Sequence, residues 1–332
     1  MDYRLFFLYN TRMLKIGSLH LPSNVLVAPL AGVSDSAYRL ICREFGASFT
    51  FVEMINARAL SHKNKITKKM LATDPKDKPI GVQLLGCEVP FIERAVGVLE
   101  KYDFDLLDFN AACPVKKVCG RGEGAALMKE PEKLREILIS IASKWKKPLT
   151  IKIRSGWDES SKNAVEISRL AQDCGINAIF VHGRDRKQFY KGTVDYKIIA
   201  DVKKSVAIPV IASGDIFSAQ HAKKMFDETG CDGILVARGG LGNPWIFNEI
   251  DAYFKHGRLP APPDTGQVID TLLHHLDLSI AEHGEKNAVP IMRKFVGWYF
   301  KGRPFVRSLR QKINPAKTKK EFTEVIEALR NS

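Results

Sequence analysis

A cysteine that ends an apolar run and opens onto a basic, glycine-rich loop is the chemically most suggestive feature of the chain. Residues 104–129 read FDLLDFNAACPVKKVCGRGEGAALMK. Positions 104–109 have the apolar character of a buried strand, and Pro114 cannot continue a strand's hydrogen bonding. Asn110 and Cys113 therefore fall where the strand ends, with side chains turned out of the sheet toward a ligand. Lys116, Lys117 and Arg121, interleaved with Gly120, Gly122 and Gly124, form a flexible cationic loop that suits something anionic. An inert buried thiol beside an ordinary loop is the plain alternative, and the rest of the chain decides against it.

The elements that must position these residues follow from alternation. Short apolar runs at 26–30, 49–53, 80–85, 104–110, 149–153, 178–182, 209–212 and 233–237 alternate with amphipathic stretches, giving eight expected strands. Helices are expected at 34–45 with Ser34 as N-cap, at 131–145 opening on Pro131, at 218–229 and at 244–253. Eight strand-helix units predict an α/β fold, the (β/α)8 TIM barrel. A doubly wound sheet is disfavoured because no G-x-G-x-x-G follows the first strand.

In such a barrel chemistry collects at the carboxyl ends of the strands. Those ends carry Pro29, Leu30 and Ala31 after strand one, Gln83 in strand three, Asn110 and Cys113 after strand four, Lys152 and Arg154 in strand five, and His182 in strand six. Strands seven and eight end at Ser213, Gly214 and Asp215 and at Ala237 and Arg238, followed by Gly239 and Gly240. Glycines there free backbone N–H groups for a phosphate. Each polar residue alone reads as a satisfied core group; their convergence on one rim reads as a site. Asp105 and Asp108, inside strand four, read as structural.

The proline-rich segment HGRLPAPPDT, residues 256–265, marks a linker between a barrel over 1–255 and a small helical bundle over 266–332, with helices expected at 267–283, 286–301 and 320–328. From Lys286 to Lys320 there are eleven Lys or Arg and no Asp or Glu. With Phe295, Trp298, Tyr299, Phe300 and Phe305 interleaved, that run points to RNA contact, some of the aromatics stacking and others filling the bundle core. The whole chain of 332 residues has a formal charge of +14, which favours a polyanionic partner, nucleic acid first. Six scattered cysteines without a C-x-x-C pair indicate neither zinc nor disulfides, and fit a reducing cytoplasm. The apolar run at 5–9 is too short for a membrane span, and no later segment reaches about 18 apolar residues.

The motifs APLAGVSD (28–35), Gln83, NAACPVKKV (110–118), KIRSGW (152–157), HGRDRKQFYKG (182–192), ASGDI (212–216), RGGLGNPWIF (238–247) and MRKFVGWYFKG (292–302) together resemble the bacterial tRNA-dihydrouridine synthases of the B-type branch. The resemblance covers nearly the whole chain. It implies an FMN barrel that reduces the C5–C6 bond of selected uridines in tRNA, with NADPH (or NADH) as reductant and a helical carboxyl-terminal part that helps hold the RNA. By similarity, the backbone of Pro29, Leu30 and Ala31 with Gln83 and Lys152 holds the flavin ring. Ser213, Gly214, Asp215, Ala237 and Arg238 hold the phosphate end, and Cys113 protonates C5. A free thiol, with a pKa of about 8.5, is mostly protonated at neutral pH and can play that part. His182, Asn110 and Arg154 are candidates to grip flavin or uracil, and Lys116, Arg121, Arg293, Arg307 and Arg310 to hold the RNA. Ser213, Leu30, Ser34, Ala111, Ala112 and Ala237 depart from the residues usual in that family. No metal is implied, and a monomer is expected. Ribosomal RNA is a second possible substrate, and the rival readings are a flavin barrel reductase of a small molecule and a flavin-retaining RNA-binding protein without catalysis.

Overall fold

In each barrel strand alternate residues divide between two apolar cores, and that division builds the fold. The computed structural model describes residues 13–62 and 65–331; the apolar run at 5–9 lies outside them. The barrel strands are β1 (Val25–Val27), β2 (Thr50–Phe51), β3 (Ile80–Leu85), β4 (Leu106–Ala111), β5 (Leu149–Arg154), β6 (Ala178–His182), β7 (Val210–Ser213) and β8 (Gly233–Val236). All pair in parallel, β2 through β8 in chain order and β8 with β1. The Val27 N–H donates to Phe49 O at 2.9 Å across the remaining seam. The eight-stranded barrel expected from sequence is therefore present, two strands matching the expected limits and the others shifted by one to three residues at an end.

One set of alternate residues, including Val82, Leu84, Leu107, Phe109, Ile151, Ile153, Ile179 and Val181, packs outward beneath the helices. The other faces the barrel interior: Leu26, Ala28, Phe49, Phe51, Leu106, Phe180 and Leu235 cluster with Leu14, Ile16 and Leu21 of a two-stranded hairpin (Leu14–Ile16, Leu19–Leu21). Gly81 makes room in that interior, because a Cβ there would lie 2.5 Å from the Phe51 ring. Further along β3 to β7 the inward positions turn polar: Gln83, Asp108, Asn110, Lys152, Arg154, His182 and Ser213. The period of two thus carries an apolar lower layer into a polar upper one.

The helices around the barrel are α1 (Ser36–Glu44), α2 (Ala57–Ser61), α3 (Val89–Leu99), α4 (Pro131–Lys144), α5 (Ala164–Asp173), α6 (Tyr196–Ser205), α7 (Ala219–Thr229) and α8 (Ile246–His256). The N-cap of α1 is Asp35, not Ser34 as expected. Ser34 Oγ instead accepts the Leu30 N–H at 2.9 Å and closes the β1–α1 turn, which leaves Asp35 Oδ1 to accept from Tyr38 N. The carboxyl-terminal part is helical, as expected: α9 (Thr265–His283), α10 (Glu285–Tyr299), α11 (Val306–Ile313) and α12 (Lys319–Glu327). Helix α11 is an addition to the expected three. It buries only Leu309 and Ile313, one turn apart, too weak a periodic signal to stand out among its basic residues.

These helices share one apolar core with the barrel. Phe295 lies 6.2 Å from the Tyr38 ring of α1 and 4.6 Å from His275. Of the aromatics expected to divide between RNA stacking and core, Phe295, Tyr299 and Phe300 are buried, so most of that stretch is core. Among the described residues, no helix is long and apolar enough to cross a membrane.

Candidate active site

Pro29, Leu30, Ala31, Gln83, Asn110, Cys113, Lys152, Arg154, His182, Ser213, Gly214, Asp215, Ala237 and Arg238 all line one cavity of about 330 Å³ at the carboxyl ends of the strands. Strand register sets them side by side: Gln83 is opposite Asp108, Asn110 opposite Lys152, and His182 opposite both Arg154 and Ser213.

Cys113 is half-buried, and burial pushes its thiol above the usual pKa, so it is protonated at neutral pH. Its loop is pinned from two sides. Asn110 Oδ1 accepts the Ala112 and Cys113 N–H groups at 3.0 and 2.9 Å, and Cys113 O accepts from Ala125 N. Gly124 makes the second contact possible, since at φ 61° a Cβ would sit 2.7 Å from Cys113 O. The polar segment after β4 is therefore not an open loop: it holds a short helix, Lys116–Cys119, and a 3-10 turn, Gly124–Lys129.

Lys152 Nζ donates to Ser213 Oγ at 3.1 Å, and Ser213 Oγ donates to Val181 O. The Ser213 hydroxyl thus serves the lysine. Burial holds Lys152 below the usual lysine pKa, an effect opposed by the Asp108 carboxylate. His182 is held well below its ordinary pKa, first by burial and then by Arg154, Lys152, Arg184 and Arg238, so its imidazole is neutral; its Nε2 is buried without a partner. A buried, unpartnered nitrogen in a cavity wall calls for a ligand atom.

Arg154 is only 2% exposed and its guanidinium binds Ala112 O, Asp185 O and Phe189 O at 2.8 to 2.9 Å. It ties the loops after β4 and β6 together, and burial pushes its pKa down to about 10. After β7, Asp215 takes φ 51° and its carboxylate accepts from both Arg184 and Arg238. Arg184 itself is buried and also holds the Lys191 and Gly192 carbonyls. The β7 and β8 loops are in close contact, since a Cβ on Gly239 would lie 1.9 Å from Ile216 O.

Met54, Tyr190 and Phe217 also line the cavity and are not among the residues expected from sequence. Tyr190 and Phe217 are 45% and 38% exposed, and the Arg238 guanidinium lies 5.0 and 5.6 Å from their rings. Both rings stand on loops, where no periodicity tells which residue turns inward; Tyr190, between Lys187 and Lys191, had only its cationic neighbours as a signal, and Phe217 had none. Lys116 and Arg121 lie outside the cavity and exposed, Arg121 bound to Glu123. In the helical part Arg307 and Arg310 are exposed with no ion-pair partner among the described residues, whereas Arg293 donates to Ala316 O and is partly buried.

An eight-stranded parallel barrel whose strand ends bring Gln83, Asn110, Lys152, Arg154 and His182 together around one half-buried thiol defines the class. Residues 26–332 match the family model described as dihydrouridine synthase (Dus). The chain is 39% identical over 303 residues to a probable tRNA-dihydrouridine synthase of Rickettsia conorii, covering 91% of this chain and 92% of the relative. It is 39% identical over 307 residues to tRNA-dihydrouridine synthase B of Xanthomonas campestris (92% of each) and 38% over 303 residues to that of Pseudomonas aeruginosa (91% of each). Histamine dehydrogenase from Rhizobium sp. 4-9 shares the fold at a TM-score of 0.58 and 12% identity, over 87% of this chain and 51% of that one. The chain belongs to the dihydrouridine synthase family, in its bacterial B-type branch.

Proposed function

We propose that this chain is a flavin-dependent tRNA-dihydrouridine synthase that reduces the C5–C6 bond of particular uridines. The observation that carries the reading is the place of Cys113: a thiol kept protonated by burial, in the same cavity as Lys152 and the unpartnered His182 Nε2. The lining fits flavin mononucleotide, with donors at Gln83, Lys152 and the Ala31 N–H after β1 for the acceptor-rich ring edge. Gly214 at φ 132° and the backbone N–H groups of Asp215, Ala237 and Arg238 suit its phosphate. Asp215 contributes only backbone, because its carboxylate is occupied and would repel an anion. Bound in this cavity by Gln83, Lys152 and the β7 and β8 loops, reduced flavin mononucleotide would supply the hydride for C6 of the uracil, with NADPH as its reductant.

Cys113 Sγ–H gives its proton to C5, and the thiolate is reprotonated from solvent. Arg154 and Asn110 hold the segment of Ala112 and Cys113 at a fixed distance from the β5 end, so the thiol meets the ring without searching. Tyr190 and Phe217, exposed at the mouth beside Arg238, offer stacking faces to bases entering the cavity. Extruding a uridine costs a few kcal/mol, which contacts elsewhere must offset. In this reading the barrel over 1–255 carries the chemistry. The helices over 266–332, beyond the 256–265 linker, contribute RNA affinity through Arg307 and Arg310, and Lys116 and Arg121 contribute at the rim. The protein acts as a cytoplasmic monomer.

The test is nucleoside mass spectrometry of tRNA and ribosomal RNA from a strain lacking the gene. Loss of dihydrouridine from tRNA is expected. Loss from ribosomal RNA alone would move the substrate, and no loss from either would overturn the reading.

A further inference from the structure

Asp108 is 1% exposed, stands behind the cavity wall, and is not part of its lining. Its Oδ1 accepts from Thr150 Oγ1 at 2.8 Å and its Oδ2 from Gln83 Nε2 at 2.7 Å. Gln83 Oε1 in turn accepts from Asn110 Nδ2 at 2.7 Å, and Asn110 Oδ1 accepts the N–H groups of Ala112 and Cys113. The direction of this chain is fixed at both ends. Two backbone N–H groups can only donate, so Asn110 must offer them its oxygen; an ionised carboxylate can only accept, so Gln83 must offer it nitrogen. Neither amide can turn over without leaving a buried donor facing a donor or an acceptor facing an acceptor, which costs the desolvation of each unpaired group.

We propose that Asp108 is a positioning residue: by accepting from Gln83 it sets the orientation of both amides and, through Asn110, pins the Cys113 backbone. Its role in proton delivery rests on the reaction proposed above; the pinning of Cys113 does not. The same polarity leaves the second Gln83 N–H as a donor toward the cavity.

The experiment compares Asp108→Leu, Asp108→Asn, Gln83→Glu and the double variant Asp108→Asn/Gln83→Glu, each as the flavin-loaded protein. Alkylation of Cys113 by iodoacetamide is read by peptide mass spectrometry, beside flavin absorbance, kcat and KM. Asp108→Leu should let Gln83 turn, raise Cys113 alkylation several-fold, and lower kcat by up to about 10²-fold with KM for tRNA little changed. Asp108→Asn can still present its oxygen to Gln83 while Thr150 Oγ1 switches to accepting, so it should recover most of the loss. Gln83→Glu sets two carboxylates face to face and should resemble Asp108→Leu. In the double variant the new amide at position 108 donates to the new carboxylate at position 83, which still accepts from Asn110. Cys113 protection should then return even if the leucine variant does not fold. Parental alkylation and kcat in a folded Asp108→Leu would overturn the proposal, as would an Asp108→Asn as impaired as the leucine variant, or a double variant no better than Gln83→Glu. If alkylation responds as expected but the parent forms no dihydrouridine, the positioning role stands and the proposed reaction falls.

Discussion

The strand-end cavity and the basic carboxyl-terminal run are both rich in polar side chains, but they spend them differently. In the cavity Arg154, Asn110, Gln83, Lys152 and Asp215 are each bound to other protein groups. In the run, Arg293 and Lys294 hold backbone carbonyls at Ala316 and Gly32, whereas Arg303, Arg307, Arg310 and Lys312 are exposed with no ion-pair partner among the described residues. Committed groups give fixed geometry, which chemistry needs; uncommitted cations give a field that salt screens, which a phosphate backbone can use. The same residue type can fall on either side of that division within one helical hairpin.

The largest expected effect breaks the cavity side. Cys113→Ala should leave flavin absorbance intact and lower dihydrouridine formation on unmodified tRNA by about 10²- to 10⁴-fold, the usual worth of a general acid. Cys119, six residues on, has its thiol turned to Cys113 O at 3.3 Å and is the control; Cys119→Ala should cost far less. A Cys113→Ala enzyme that turns over like the parent would assign the proton to water or another group. Because burial raises the Cys113 pKa, its alkylation should keep accelerating above about pH 9, where a free thiol is already mostly ionised.

A smaller effect sharpens the other side. Charge reversal at Arg303, Arg307 and Arg310 together should weaken tRNA binding and reduce the slope of log affinity against log salt by about 0.7 to 0.9 for each phosphate no longer neutralised, with flavin binding unaltered. Arg293→Ala should differ in kind: it removes a charged hydrogen bond to Ala316 O, so unfolding stability should fall by about 1 to 2 kcal/mol while the salt slope stays. Unchanged binding in the triple variant would move the RNA to the barrel rim, where Lys116, Lys117, Arg121, Arg186 and Lys187 are the next residues to change.

What the sequence made legible follows the same division. Strand ends were readable because a period of two places Gln83, Asn110, Lys152, Arg154, His182 and Ser213 on one rim whatever the helices do. Tertiary partners were not readable. Nothing in the order of residues says that Arg154 would be consumed by three carbonyls, that Ser213 would serve Lys152, or that Gln83 and Thr150 would be the partners of Asp108. Those depend on neighbours 25 to 61 residues away. The aromatics of α10 show the limit on composition, since basic residues around Phe295 and Tyr299 suggest RNA contact while burial against Tyr38 and His275 claims the rings for the core.

The smallest predicted effect lies where the two regions meet. Glu282, near the end of α9, accepts the Ser36 and Ala37 N–H groups at the start of α1, and His283 Nε2 lies 3.0 Å from Asp35 Oδ2. The bond to Asp35 raises the His283 pKa, Glu282 adds to that, and burial and Lys69 oppose it. A histidine whose folded pKa is raised stabilises the fold fully below its unfolded value of about 6.5, and that stability is lost as pH rises through the folded value. Asp35 is lowered, so its contribution holds above its ordinary value of 3.8 and fades as pH falls through the folded value. The junction should therefore be firmest between about pH 4 and 6.5. His283→Gln should lower Tm by a few degrees near pH 5.5, corresponding to about 1 kcal/mol or less for a partly exposed pair, and by less near pH 8.5. An equal loss at both pH values would mean that the imidazole contributes packing alone, and that the helices are held to the barrel by the Tyr38, His275 and Phe295 core rather than by charge.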